Sequence, residues 1–232
     1  IGLGMNAGLL GLAWTPMQVE FTMPLDAVGI LLLASTSGYL IASFFSGTLA
    51  HRLGMGWMLV IGGALLATGL IAVSFAQVWA LTTVCMFVGG LGSGTIDAGL
   101  NAYLAQHHSE RAMNWLHASF GIGITISPLI MTEVFRLEQS WRVGYAIVGG
   151  ALVLVTLFFL LTVSKWRSVL PPAHDTAPAQ RPSMSATLRM PVVWMGILMF
   201  FLYAGLEATP GQWVFPFFTD VRGIAEIPAG QW

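Results

Sequence analysis

Charge and cysteine are both scarce in this sequence. Of its 232 residues only 8% are charged, against about 25% in an average soluble domain, whereas 56% are hydrophobic and the mean hydropathy is +0.78. The single cysteine, Cys85, can form neither an internal disulfide nor a cysteine metal site, so we interpret it as a packing residue. The net charge of −1 provides no basic surface, and we expect no nucleic-acid partner. The composition predicts an all-α integral membrane protein with the lipid bilayer as a partner.

Long apolar runs are what the sequence has instead, and most reach the roughly 20 residues that cross a bilayer as a helix. We predict spans at residues 1–16, 27–50, 57–75, 78–104, 115–134, 143–163 and 192–218. The first run is short for a span and opens at Ile1 with no basic segment before it, so no cleavable signal peptide is predicted. We expect this run to be the tail of a clipped first helix, followed by a polar loop that contains Gln18, Glu20 and Asp26.

The composition changes at residues 165–189, where four prolines accompany alanine and serine. Such a segment cannot bury enough apolar area to fold alone and is typical of a linker. We therefore predict a six-helix bundle over residues 1–164 and a linker over residues 165–189. Residues 190–232 would hold a seventh helix and the loop after it, as the start of a second, truncated bundle.

Basic residues orient this predicted topology, because cytoplasmic loops carry an excess of lysine and arginine. One side holds Arg52, Arg111, Lys165, Arg167, Arg181 and Arg189, and the other side holds Arg136, Arg142 and Arg222. The first side is predicted to be cytoplasmic. The linker lies on that side, whereas the loop after the seventh helix is extracellular.

The most informative residue is Asp97, an acid inside the fourth apolar run. A carboxylate at the centre of a bilayer costs about 2.5–3.5 kcal/mol on insertion scales unless it is protonated or partnered, and such residues mark ion and substrate pathways. Asn101 follows four residues later and shares its helix face. We predict that Asp97 loads and releases a proton; the alternative is a structural acid bonded to neighbouring helices. Asn101 either contacts a substrate or bonds between helices.

The histidines give weaker signals. His117 lies in the fifth run at a depth similar to that of the buried acid, so it either tunes that acid or packs as a satisfied histidine. His107 and His108 fall in a predicted loop without the spacing of metal ligands, and we expect them to be solvated and no metal to bind. Glu133, three residues before Arg136, predicts an interfacial ion pair.

Five glycines between residues 89 and 99 lie inside the fourth run. A dinucleotide fingerprint needs a strand before its glycines and a helix after them, so this context excludes one. Small residues along a membrane helix instead let neighbouring backbones approach closely. No nucleophile and base are spaced for chemistry. We therefore predict neither an enzyme nor an organic cofactor.

The turn between the second and third runs carries a resemblance. Residues 47–54 read GTLAHRLG and are similar to the loop signature G-x-L-A-D-R-x-G of the major facilitator superfamily. His51 stands where that signature has aspartate, and two uncharged residues follow where it has a basic pair. The resemblance implies two six-helix halves around a central substrate cavity. It also implies a gating role for this loop, at Gly47, Arg52 and Gly54.

A narrower resemblance lies in residues 90–101, which read GLGSGTIDAGLN. They are similar to the fourth helix of the fucose permease group of sugar symporters and of their glucose-transporter-like relatives, where an acid precedes an asparagine by four residues. Residues 114–121 and 203–213 resemble the fifth and seventh helices of that group. The resemblance implies proton-coupling and sugar-binding roles for Asp97 and Asn101.

The resemblance implies a proton-coupled importer of a monosaccharide that works by alternating access. It would be a monomer when full length, in a bacterial cytoplasmic membrane, with sodium as the alternative coupling ion. Glu207, Gln212 and Trp213 would line the sugar path, because a ring beside hydrogen-bonding side chains fits a sugar; Trp213 could equally anchor the helix at the interface. The alternatives are a proton antiporter that exports drugs or metabolites, and a membrane scaffold or receptor that transports nothing.

Overall fold

The computed structural model describes residues 1–167 and 188–230, apart from the side chains at 207, 208 and 211, and the described chain is helical without a strand. The helices are α1 (Gly2–Glu20), α2 (Val28–Leu53), α3 (Met55–Phe75), α4 (Trp79–His107), α5 (Glu110–Arg136), α6 (Trp141–Leu161), α7 (Val163–Arg167), α8 (Pro191–Pro216) and α9 (Glu226–Gly230). A 3-10 turn, Leu25–Ala27, precedes α2, and a π-helical turn, Phe217–Val221, follows α8.

Five of these helices, α2 to α6, are long and apolar enough to cross a membrane, so the predicted spans two to six are confirmed. Within the described residues, α8 carries an apolar stretch at Pro191–Leu206. Helix α2 continues to Leu53, which leaves Gly54 alone between α2 and α3. Gly54 has φ +78°, in the left-handed region that glycine adopts without a steric penalty. The turn between the second and third predicted spans, expected to begin at His51, therefore consists of Gly54 alone.

One other predicted boundary is wrong. Gln18 and Glu20 were expected in a loop, but α1 continues through them and ends where Thr22 takes a left-handed φ of 53°. Polar side chains such as Gln18 and Glu20 are compatible with the last turn of a helix, which ends where the backbone leaves helical dihedral angles. Helix α7 includes the first three residues of the predicted linker, Lys165 to Arg167, and the bounds of that linker stay a prediction. The rest of that predicted segment, up to residue 187, lies outside the described residues.

Helix α4 is the centre of the packing, because it lies against both α2 and α3, while α3 also packs on α6 and α1 packs on α5. Glycines make these approaches close. A Cβ on Gly90 would lie 2.0 Å from the carbonyl oxygen of Ser35, and one on Gly94 would lie 2.3 Å from that of Tyr39. The predicted role of the fourth-run glycines in backbone packing is confirmed at these two positions, whereas Gly99 faces methionine side chains.

Burial divides the apolar side chains into two groups. Trp14, Leu66 and Tyr145 are buried in a common core, and Cys85 is buried as predicted. Many others, such as Phe44 and Leu161, are exposed, and a soluble protein rarely exposes so much apolar surface to water. In a bilayer, such side chains face lipid at no cost.

An ion pair joins three helices at the end of the bundle opposite the α2–α3 turn. Arg142, at the start of α6, contacts Glu20 of α1 at 2.6 Å and also donates to the carbonyl oxygens of Ser74 and Ala76, at 3.2 and 2.5 Å. Trp141 Nε1 donates to the other Glu20 oxygen at 2.8 Å. Burial alone would raise the pKa of the Glu20 carboxyl, but the hydrogen bonds from Arg142 and Trp141 outweigh it and hold that pKa below its ordinary value.

The second ion pair in the described chain, Glu133–Arg136 at 2.5 Å, lies at the same end and is exposed. It confirms the pair predicted from their spacing. Since exposed pairs contribute at most about 1 kcal/mol, this one marks the helix end more than it stabilises it.

Candidate functional site

Asp97 lies half-buried on α4 and accepts hydrogen bonds at both carboxylate oxygens. The Tyr39 hydroxyl of α2 donates to Oδ2 at 2.5 Å, and Asn101 Nδ2 donates to Oδ1 at 3.0 Å. Asn101 Nδ2 also lies 2.9 Å from the main-chain oxygen of Asp97. The predicted common face of Asp97 and Asn101 is confirmed. Among the described residues, no cationic side chain contacts the acid.

Tyr39 is a site residue that the sequence analysis missed. It reaches Asp97 because α2 and α4 approach closely at Gly94, one turn before the acid, where the Tyr39 carbonyl leaves no room for a Cβ. Ser43, one turn further along α2, lies with its Oγ 3.5 Å from the Gly94 carbonyl oxygen and extends the same contact. The available signal was that Tyr39 is the one tyrosine in the predicted span 27–50. Its hydroxyl needs a partner when it is buried.

The polar stripe on α4 also reaches α1. Ser93, four residues before Asp97, is 8% exposed and accepts a hydrogen bond from Asn6 Nδ2 at 3.3 Å. Ser93, Asp97 and Asn101 are spaced four residues apart and therefore follow one face of the helix. The stripe contacts α1 at Ser93 and α2 at Asp97, so it faces two helices rather than lipid alone.

The predicted pairing of His117 with Asp97 is not found in the described structure. His117 is exposed on α5, and the hydrogen-bond partners of Asp97 are Tyr39 and Asn101. Counting residues from one side estimates depth but not the face of the helix. Helix α5 packs mainly on α1 and only slightly on α4. The role of His117 in proton coupling stays a prediction.

The three predicted sugar-path residues lie on α8, which packs on α1. Gln212 is half-buried, and its Oε1 is buried without a hydrogen-bond partner among the described residues. A buried amide oxygen of this kind ordinarily has a partner, so it is available to a ligand hydroxyl or a water. Trp213 is 39% exposed beside it. The side chain of Glu207 lies outside the described residues.

The predicted gating loop borders a cleft of about 580 Å³ between the ends of α2 and α4, lined by Gly47, Arg52 and other residues. Arg52 is exposed, and no ion pair engages it in the described chain. His107 also lines this cleft, and its predicted place in a solvated loop is wrong. It is the last residue of α4, half-buried and stacked on Tyr103 with ring centroids 4.9 Å apart. His108 is exposed, as predicted.

Comparison with known proteins identifies the family. The profile of the Major Facilitator Superfamily matches residues 1–231. The chain belongs to the Major Facilitator Superfamily. This confirms the superfamily resemblance and the all-α membrane fold.

Relatives within the Major Facilitator Superfamily include proteins named for sugar transport. Sodium-dependent glucose transporter 1 of Homo sapiens is 25% identical over 99% of this chain and 50% of its own length. Bypass of stop codon protein 6 of Saccharomyces cerevisiae is 26% identical over 97% of this chain and 50% of its own length. Sugar transport protein MST3 of Oryza sativa subsp. japonica is 26% identical over 60% of this chain and 28% of its own length. The chain thus spans about half the length of the first two relatives.

Proposed function

We propose that this protein is a secondary active transporter that imports a monosaccharide together with a cation, by alternating access, with Asp97 as the coupling carboxylate. The observation that carries the proposal is that Asp97 lies half-buried in a membrane-length helix and is held by neutral donors alone among the described residues. A buried acid without a fixed counter-cation can bind a mobile one. The sugar transporters among the relatives support the substrate class.

Tyr39 suits this role because a hydroxyl can both donate and accept. While Asp97 is ionised, Tyr39 donates to Oδ2 in a charge-assisted hydrogen bond. A proton or sodium ion that neutralises the carboxylate replaces this bond with a weaker one between neutral groups, or removes it. Cation binding would therefore loosen the link between α2 and α4 at the polar stripe. Such a change in helix contact is what alternating access requires of a coupling site.

We assign the sugar path to Asn101, Gln212 and Trp213, with Glu207 on the same helix as the last two. The buried oxygen of Gln212 supports this assignment, since it has no protein partner in the described chain. We propose the proton as the coupling ion, with sodium as the rival that the names of several relatives favour. We also propose a cytoplasmic membrane location and a monomeric state.

The test is uptake into liposomes by the full-length protein that carries this sequence. Asp97→Asn should abolish accumulation of a labelled monosaccharide against its gradient while exchange across the membrane continues, because only the driving step needs the charge. Glu133→Gln is the matched control, because it neutralises an exposed acid that is paired with Arg136. Accumulation by Asp97→Asn at the wild-type level would refute the coupling role.

Two further arms separate the alternatives. A pH gradient imposed without sodium, and a sodium gradient imposed at constant pH, identify the coupling ion by which one drives uptake. Drug or metabolite efflux driven by an inward proton gradient, without sugar uptake, would establish the exporter instead. Failure of a broad sugar panel with intact folding would favour the scaffold or receptor.

A further inference from the structure

Two cavities meet at the end of the bundle that carries the α2–α3 turn. The first is the cleft of about 580 Å³ between the ends of α2 and α4. The second is a groove of about 310 Å³ on α2, α3 and α4, lined by apolar side chains such as Ile41, Phe45 and Leu91. Thr48 and Arg52 line both cavities. A basic cleft therefore continues into an apolar groove.

The cleft favours an anion. Arg52 is exposed there without an ion pair, and among the described residues that line the cleft there is no carboxylate. Helices α2 and α4 end here, and the partial negative charge at their C-termini opposes an anion. The attraction for an anion therefore comes from the positive charge of Arg52. Helix α3 begins at Met55 in the same cleft, and no side chain of the described residues caps it.

His107 offers a second polar contact. Its Nδ1 lies 3.0 Å from the carbonyl oxygen of Tyr103, so Nδ1 carries the hydrogen and the neutral ring presents Nε2 as an acceptor. Nε2 is buried and has no partner among the described residues. Because buried polar atoms are ordinarily satisfied, this nitrogen fits a ligand that brings a hydroxyl group.

We propose that the cleft and the groove together bind one anionic phospholipid, with its phosphate at Arg52, its headgroup hydroxyls near His107 and an acyl chain in the groove. The groove lies beside exposed apolar side chains of α2, such as Phe44 at 70%, on a helix long and apolar enough to cross a membrane. The loop is on the predicted cytoplasmic side, where membranes carry anionic lipids and basic pockets between helices bind their headgroups. A free anion would leave the groove unused. The proposal does not rest on sugar transport.

The experiment uses native mass spectrometry of the purified full-length protein after incubation with dioleoyl phosphatidylglycerol or dioleoyl phosphatidylcholine, which share acyl chains. Wild type should retain one phosphatidylglycerol in preference to phosphatidylcholine, and Arg52→Gln should lower that preference about fivefold, as expected for one basic residue near an anionic lipid. Arg111→Gln, another exposed arginine at the same end, is the matched control and should leave it unchanged.

Two additional arms test the groove and the ligand. Thr48→Trp fills the junction of the two cavities at an exposed position and should reduce retention of phosphatidylglycerol, whereas Phe44→Trp on the same helix should not. Melting temperatures confirm that each variant is folded. Equal losses in Arg52→Gln and Arg111→Gln, or no loss in either, would overturn the proposal. Displacement by inorganic phosphate without any effect of Thr48→Trp would reduce the site to an anion site and equally overturn it.

Discussion

Glu20 and Asp97 are two acids whose partners differ in charge. Glu20, at the end of α1, is paired with Arg142, and the same guanidinium binds two main-chain oxygens near the end of α3. Asp97, in the middle part of the α4 stripe, is bound by the hydroxyl of Tyr39 and the amide of Asn101. The first acid has its counter-charge built into the fold. The second has hydrogen bonds but no counter-charge among the described residues.

The difference separates a structural acid from a coupling acid. A fixed cation neutralises its carboxylate permanently, so the pair joins helices and has no reason to exchange ions. Neutral donors orient a carboxylate without neutralising it, and the remaining charge can be matched by a mobile cation. Sequence position alone did not reveal this contrast. The arrangement around each acid does.

The largest effect is expected when Asp97 is given a fixed cationic partner, as Glu20 has. Tyr39→Lys would place a fixed cation beside Asp97 and neutralise it permanently, so concentrative sugar uptake in liposomes should fall at least about tenfold, the change that corresponds to 1.4 kcal/mol. The melting temperature in detergent should not fall, because a new ion pair replaces the lost hydrogen bond. Retained accumulation with normal cation dependence would show that Asp97 needs no mobile cation.

The second prediction breaks the structural pair. Arg142→Gln removes the partner of Glu20 and the donor to two buried carbonyl oxygens, so the free energy of unfolding should fall by about 2 kcal/mol, within the range for unsatisfied buried groups. Thermal unfolding in detergent measures this. Cation activation of transport should be unchanged in the same variant. A shifted cation dependence at normal stability would reverse the roles assigned to the two regions.

Acid should weaken this pair in wild type. The pKa of Glu20 is lowered in the folded state, so its contribution to stability is complete above the ordinary glutamate pKa of about 4.3 and is lost as the pH falls through the lowered folded value. Glu20→Gln should remove that part of the acid sensitivity and no other. An unchanged acid profile of unfolding in Glu20→Gln would show that the pair contributes nothing measurable.

The fourth prediction sharpens the comparison at Tyr39. Tyr39→Phe keeps the ring but removes the donor that competes with a cation for Oδ2, so half-maximal activation of uptake should occur at a two- to tenfold lower cation concentration, since each 1.4 kcal/mol is tenfold. Ser46→Ala removes a hydroxyl from the same helix, where it donates to the main-chain oxygen of Ser43 at 2.7 Å, and is the matched control. Weaker cation activation in Tyr39→Phe would mean that Tyr39 is itself a cation ligand.

The sequence predicted what depends on local periodicity and missed what depends on helix rotation. Apolar run length located helices α2 to α6, and a spacing of four placed Asp97 and Asn101 on one face. The contact between Tyr39 and Asp97 depends instead on how α2 is turned against α4, which the backbone contact at Gly94 sets. No pattern within α2 alone contains that information.

The smallest effect is expected between His117 and Asp97. Their similar depth first favoured a direct interaction, but His117 is exposed on α5 while Tyr39 and Asn101 occupy the carboxylate. Sites that share no partner usually add within about 0.3–0.5 kcal/mol. In a double-mutant cycle of His117→Ala and Asp97→Asn on sugar binding, measured by scintillation proximity with the purified protein, the coupling energy should therefore stay below about 0.5 kcal/mol. A larger value would show that the two residues meet in another state of the transport cycle, and His117 would then rejoin the coupling site.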